Sequence, residues 1–236
     1  MIEEPHLDAH IPPFSHGEAR DSREVAAAAR EYLTDLRAWL AALHERGDPG
    51  QAVNHAHADA LDRLLRRLHE VAEFTYYSDA GELDARVSII AVGGFARREQ
   101  AIGSDVDLLF LHDGETISPL AARVAEWIQY CLWDAGVEVG AALRTIEESI
   151  ALGQSDITAR TSMLGARFLC GDSTLFHEFT TAVRDRLIPD LAQFIADQRE
   201  AWDQRHAKFG DSLYLLQPNV KEGAGGLRDY HTAWWV

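Results

Sequence analysis

Asp105 and Asp107 are separated by a single residue, Val106, and followed by Leu108-Leu109-Phe110. In an extended strand, residues i and i+2 face the same way, so these two carboxylates stand side by side, about 7 Å apart at Cα. On an otherwise apolar strand they repel each other and resist desolvation. A divalent cation compensates both, and hard oxygen ligands with room left for phosphate oxygens fit Mg²⁺. Upstream, the run Val87-Ser88-Ile89-Ile90-Ala91-Val92 stops at Gly93-Gly94. Without Cβ atoms the backbone approaches a phosphate closely, and the N–H groups of a starting helix favour an anion. Arg97 and Arg98 add permanent positive charge for phosphate oxygens. One half of the unit suits phosphate and the other suits metal, a combination that serves phosphoryl or nucleotidyl transfer. Taken singly, a Gly-Gly after a strand is usually a turn, and Asp-x-Asp is usually a solvated strand edge. The joint pattern is the informative one, because it packs strand, Gly-Gly, Arg, Glu and Ser-Asp-x-Asp into 25 residues.

These residues need a scaffold. Val25, Ala29, Tyr32, Leu36, Leu40 and Leu43 repeat at helical spacing over Ser22 to Arg46. Gly47-Asp48-Pro49-Gly50 ends that helix, and a second follows with Leu61, Leu64, Leu65, Leu68, Val71 and Ala72 on one face. The pair predicts a helical hairpin. Val87–Val92 and Val106–Leu111 read as buried strands. Only thirteen residues lie between them, too few for a parallel crossover with a long helix, so a short helix is expected over Phe95 to Gln100. Pro119 fits the first turn of a helix reaching Trp133, and Val137 to Leu143 reads as a third strand. Beyond Thr145 the chain reads as helices over Ile146 to Leu152, Ile157 to Leu169, Ser173 to Leu187 and Pro189 to Lys208. Gly223-Ala224-Gly225-Gly226 is a glycine-rich turn before a helix starting at Leu227. The class is therefore α+β, a small mixed sheet with an N-terminal helical hairpin and a C-terminal helical region. The expected divisions are a tail over 1–20, the hairpin over 21–80, the core over 81–150 and helices over 151–236. The apolar end Trp234-Trp235-Val236 suggests a chain that continues, so a fragment is expected.

Composition excludes several classes. The 236 residues carry 38 acidic against 22 basic side chains, a formal charge of −16, which argues against a nucleic-acid binder and against docking on anionic membrane. The acidity belongs to the surroundings, since segment 86–111 holds three acids and three bases and is neutral. Cys131 and Cys170 are the only cysteines and read as buried free thiols. His6, His10 and His16 lie in the tail, where histidines usually do nothing specific. No signal peptide or membrane-length apolar run stands out, so a cytoplasmic protein is expected.

Gly93-Gly94 with Asp105-x-Asp107 resembles the signature of the DNA polymerase β-like nucleotidyltransferases. The longer string Gly93-Gly94-Phe95-Ala96-Arg97-Arg98-Glu99 with Ser104-Asp105-Val106-Asp107-Leu108-Leu109 resembles the bifunctional PII uridylyltransferase/uridylyl-removing enzymes. Leu132-Trp133-Asp134-Ala135-Gly136, Arg167-Phe168-Leu169-Cys170-Gly171-Asp172 and, most specifically, Lys221-Glu222-Gly223-Ala224-Gly225-Gly226-Leu227-Arg228-Asp229 extend the likeness over roughly residues 60 to 236. The chain departs from that family's pattern at Ala96, where Gly is usual. It departs again at Gly140-Ala141-Ala142-Leu143, where Gly-His-Ser-Val is common.

The resemblance implies a polymerase β-like core and a Mg²⁺-dependent transfer of UMP from UTP to a tyrosine of the PII signal protein, in nitrogen regulation. It places Mg²⁺ on Asp105 and Asp107, with Glu138 as the third carboxylate. Gly93, Gly94, Ser104 and Arg97 would serve the triphosphate, and Lys221 and Arg228 would serve phosphate or the acceptor protein. Glu138 reads equally well as a solvent-facing strand residue, and Lys221 and Arg228 as solvated charges on a loop. The uridylyl-removing half needs a helical His-Asp metal motif. The single His112-Asp113 pair falls in a turn instead. Two alternatives stay open: adenylylation of another protein such as glutamine synthetase, and a non-catalytic nucleotide-binding module.

Overall fold

The computed structural model describes all residues except 1, 14–20, 82, 84, 210–216 and 218. Among them the chain divides into two compact units, residues 1–149 with 165–179, and residues 150–164 with 180–236.

The first unit opens with α1 (Leu7–His10), α2 (Ser22–Glu45) and α3 (Gly50–Ala80). Asp21 caps α2 by accepting the Arg23 N–H at 2.7 Å. Part of the expected tail is pinned: Leu7 and Ile11 are buried, and Arg67 reaches Asp8 at 2.9 Å and the Ile11 carbonyl. His16 lies outside the described residues.

The sheet has four strands, β1 (Val87–Ala91), β2 (Val106–His112), β3 (Val139–Arg144) and β4 (Arg167–Gly171), in the order β3-β2-β1-β4. β1 is antiparallel to β2 and β4, and β2 is parallel to β3, so the expected mixed sheet is present. The short link between β1 and β2 holds only the four-residue helix α4 (Gly93–Ala96), shorter and earlier than the short helix expected over Phe95 to Gln100. The parallel step from β2 to β3 passes through α5 (Pro119–Asp134), whose Ser118 cap accepts the Ala121 N–H at 3.0 Å. Ile89, Ala91, Leu108 and Phe110 bury one sheet face in the same apolar cluster as α2, α3 and α5. The helices thereby hold the strands that carry the carboxylates.

β4 corrects an expectation. The helix read over Ile157 to Leu169 stops at Leu164 as α7 (Ile157–Leu164), and Arg167–Gly171 pairs with the open edge of β1. A short apolar run suits helix and strand alike, and the edge of β1 supplied hydrogen-bond partners that decide the case. β3 begins at Val139, two residues later than expected, which leaves Glu138 just before the strand.

The second unit contains α7, the end of α6 (Ile146–Ser155) and of α8 (Ser173–Leu187), α9 (Leu191–Phe209) and α10 (Leu227–Trp235). Arg160 ties it together, donating to the Gly153 carbonyl and pairing with Asp197, each at 2.8 Å. Asn219 opens the glycine-rich segment by accepting the N–H groups of Lys221 and Glu222 at 3.1 and 2.9 Å. No described helix is long and apolar enough to cross a membrane. Both cysteines are free, and burial pushes each thiol up to about 12.

Burial, with a smaller contribution from Arg37 at His57, holds the His57 and His69 imidazoles below the usual 6.5, and the acids Glu73 and Glu70 only partly oppose this at His69. The unfolded chain therefore takes up protons first as pH falls. This contribution to stability is complete above 6.5 and is lost as pH drops through 6.5 toward the folded values. Urea midpoints should stay level above neutrality and decline in mild acid. The double variant His57→Gln/His69→Gln should flatten that decline, and an unchanged acid slope in the variant would contradict the assignment.

Candidate active site

β1 ends where the site begins. The Val92 N–H donates to the Asp107 carbonyl at 3.1 Å, so the chain leaves β1 directly beside Asp107 and turns at once into α4. Gly93 makes this turn at a φ of +60°, a conformation that suits glycine. A Cβ on Gly93 would lie 2.7 Å from Asp107 Oδ2. On the other side, Gly140 of β3 is the register partner of Asp107, and a Cβ there would lie 2.7 Å from Asp107 Oδ1. Both carboxylate oxygens thus occupy space that two side chains would otherwise fill.

Asp105 and Ser104 are exposed and Asp107 is half-buried. Asp105 immediately precedes β2, two residues before Asp107. The buried Gln100 fixes this approach, its Nε2 donating to the carbonyls of Ser104 at 3.2 Å and Asp105 at 3.1 Å. Val106 N–H donates to the Glu138 carbonyl at 2.8 Å, which brings the backbone of the expected third carboxylate to the mouth of the same ladder. The exposed Glu138, with Ser104, also lines a cleft of about 150 Å³ shared with Arg37, His57 and Gln100.

The Gly-Gly turn is held from behind. Arg167 donates through Nε to the Ala96 carbonyl and through Nη2 to the Phe95 carbonyl, both at 3.1 Å. These are carbonyls at the C-terminal end of α4, where a cation is favoured. The same guanidinium forks onto Asp62 of α3, which is only 2% exposed, with the Nη2 contact at 3.1 Å. It also lies 5.3 Å from the centre of the Phe95 ring. Arg97 pairs with Glu99 at 2.7 Å, and Arg98, at a φ of 58°, pairs with Asp59 at 3.0 Å.

Lys221 and Arg228 belong to the second unit. Lys221 is exposed, and Arg228 pairs with Glu222 at 3.5 Å. Among the described residues no three His, Cys, Asp or Glu side chains are gathered closely enough to hold a metal. The donor chemistry nonetheless suits Mg²⁺: two carboxylates, one exposed, with open coordination left for phosphate oxygens.

Sequence reasoning missed four residues that shape this site. Gly140 stands in the sequence only as a position that agrees with the family pattern, with no role attached, yet a glycine inside a strand is itself a sign of close approach. Asp62 and Arg167 carry no local signal, because their partners lie on other elements, and Gln100 reads as an ordinary residue of the β1–β2 link although its partners Ser104 and Asp105 are four and five residues away.

A sequence model described as "Putative nucleotidyltransferase DUF294" matches residues 34–141, the stretch that holds both aspartates, the Gly-Gly turn and Glu138. A second, described as "GlnD PII-uridylyltransferase", matches residues 193–236. Proteins named bifunctional uridylyltransferase/uridylyl-removing enzyme are similar over nearly the whole chain. The one from Novosphingobium aromaticivorans is 36% identical over 97% of this chain and 25% of its own length. That from Rhodospirillum rubrum is 40% identical over 92% of this chain and 24% of its own. That from Erythrobacter litoralis is 34% identical over 100% of this chain and 26% of its own. The chain thus spans about a quarter of the length of the curated relatives it matches. A solved chain titled "Crystal structure of the toxin-antitoxin with AMP-PNP" shows a TM-score of 0.31 and 16% identity over 56% of this chain and 94% of that one.

Asp62→Asn should leave the Arg167 guanidinium without its counter-charge and cost about 3 kcal/mol or more in urea unfolding. Asp62→Leu with Arg167→Met should recover most of that stability while loosening α4. Full stability of Asp62→Asn alone would show that the pair does not hold the turn.

Proposed function

We propose, from the homology of nearly the whole chain to bifunctional uridylyltransferase/uridylyl-removing enzymes, that it carries a nucleotidyl-transfer step, moving UMP from UTP to a tyrosine of the PII signal protein. The observation that carries the reading is the Asp107 carboxylate, held between Gly93 and Gly140 beside a strand-to-helix Gly-Gly turn. Asp105 and Asp107 would hold Mg²⁺, which supplies charge neutralisation for a triphosphate and favours an ionised acceptor oxygen. The N–H groups at Gly93 and Gly94 and the Ser104 hydroxyl are suited to phosphate oxygens. Arg97 is suited to the same charge and would exchange its contact with Glu99 for a phosphate. The acceptor oxygen bonds to the α-phosphorus, the bond to the bridging oxygen breaks, and pyrophosphate leaves. Glu138 is assigned as the third carboxylate, and Lys221 and Arg228 as contacts to phosphate or to the protein acceptor. The acidic balance outside segment 86–111 agrees with a protein acceptor rather than a polynucleotide.

Radiolabelled UTP and ATP offered with PII and Mg²⁺ test the reading. UMP should appear on PII. Asp105→Asn and Asp107→Asn should each lower the rate by at least about 100-fold, with thermal unfolding little changed. AMP transfer instead would favour the adenylyl branch. Nucleotide binding without transfer would favour a regulatory module.

A further inference from the structure

α7, α9 and α10 of the second unit enclose a cleft of about 400 Å³. Arg205, Lys208 and Arg228 line it against a single acid, Glu222, which Arg228 already engages at 3.5 Å. Lys208 carries the excess positive charge, because Asp229, outside the lining, is itself ionised and pairs with Arg205. Burial pushes its carboxyl up, but the Gly225 N–H at 2.8 Å together with His206 and Arg205 outweigh that and keep it low. Asp229 is thus committed to anchoring the glycine-rich segment.

Two donors in the cleft wall point to a missing partner. Gln198 is 4% exposed, and its Nε2 has no hydrogen-bond partner among the described residues. The buried Arg205 Nε, on the next turns of α9, also has none, although the same guanidinium binds Asp229 through Nη2. A buried unsatisfied donor costs about 1–3 kcal/mol, so two lining one basic cleft call for an acceptor-rich ligand. The Trp235 ring adds an apolar wall.

We propose that this cleft is a binding site for the phosphate groups of a small ligand, with Gln198 Nε2 and Arg205 Nε donating to phosphate oxygens and Lys208 and Arg228 supplying charge. The site extends the role given to Arg228 and brings in Gln198, Arg205 and Lys208. It does not depend on metal at Asp105 and Asp107.

Pyrophosphate titrated calorimetrically into the full chain with EDTA present separates the two readings, because chelation removes any metal-dependent contribution. The wild type and the double variant Asp105→Asn/Asp107→Asn should bind pyrophosphate alike at millimolar concentrations. Gln198→Met, nearly the same volume, and the exposed Lys208→Gln should each weaken binding by about tenfold, with unchanged melting curves. Absence of saturable binding to the wild type overturns the proposal, as does unaltered affinity in both cleft variants. Loss of binding in the Asp105/Asp107 variant alone would overturn it too, by moving the phosphate to the first unit. Nucleotidyl transfer, assayed separately, stands or falls on its own.

Discussion

Everything in the first unit is arranged around one electrostatic problem, a carboxylate on a strand of apolar neighbours. Asp107 interrupts Val106, Leu108, Leu109 and Phe110, all of them buried. An ionised carboxylate in such a place is costly unless something compensates it. The backbone responds by withdrawing side chains. Gly93 on one side and Gly140 on the other leave the two oxygens room that any Cβ would take. The cradle also explains why a sharp turn follows β1. Only an immediate change of direction at Gly93 brings main-chain N–H groups and a carboxylate to the same spot.

A cradle of glycines is floppy unless it is braced. Arg167 from the edge strand, itself held by Asp62 of α3, grips the end of α4 over a long sequence distance, and Gln100 clamps the carbonyls before Val106 locally. The helices α2, α3 and α5 then fix the sheet through a continuous apolar cluster. The acidic helices of the sequence therefore serve as a scaffold whose buried faces position a few polar atoms. The second unit repeats the device on its own scale, spending Asp229 on a glycine-rich segment and leaving basic groups facing a cleft.

The legible parts of this arrangement were the local ones. The apolar strand runs, the Gly-Gly stop, the Asp-x-Asp pair and the Pro119 helix start are all written in adjacent residues. The thirteen-residue link correctly argued against a parallel crossover between β1 and β2. The edge strand β4 reads as helix from its sequence, because Arg167–Gly171 is short and apolar, and only the open side of β1 distinguishes the two. Gly140 is visible in the sequence as a match to the family pattern, but not as room for Asp107. Its meaning depends on the parallel register of β2 with β3, which no local pattern contains. Arg167 and Asp62 lie more than a hundred positions apart, and nothing short of the fold pairs them.

The central claim is that Asp107 is held ready for a cation by the two flanking glycines. Manganese titration followed by electron paramagnetic resonance, with a non-hydrolysable UTP analogue present, tests it most directly when wild type is compared with Gly140→Ala. The added methyl should push the carboxylate aside and weaken manganese binding by about tenfold or more, with the fold intact. Equal manganese affinity in the two proteins would contradict the account.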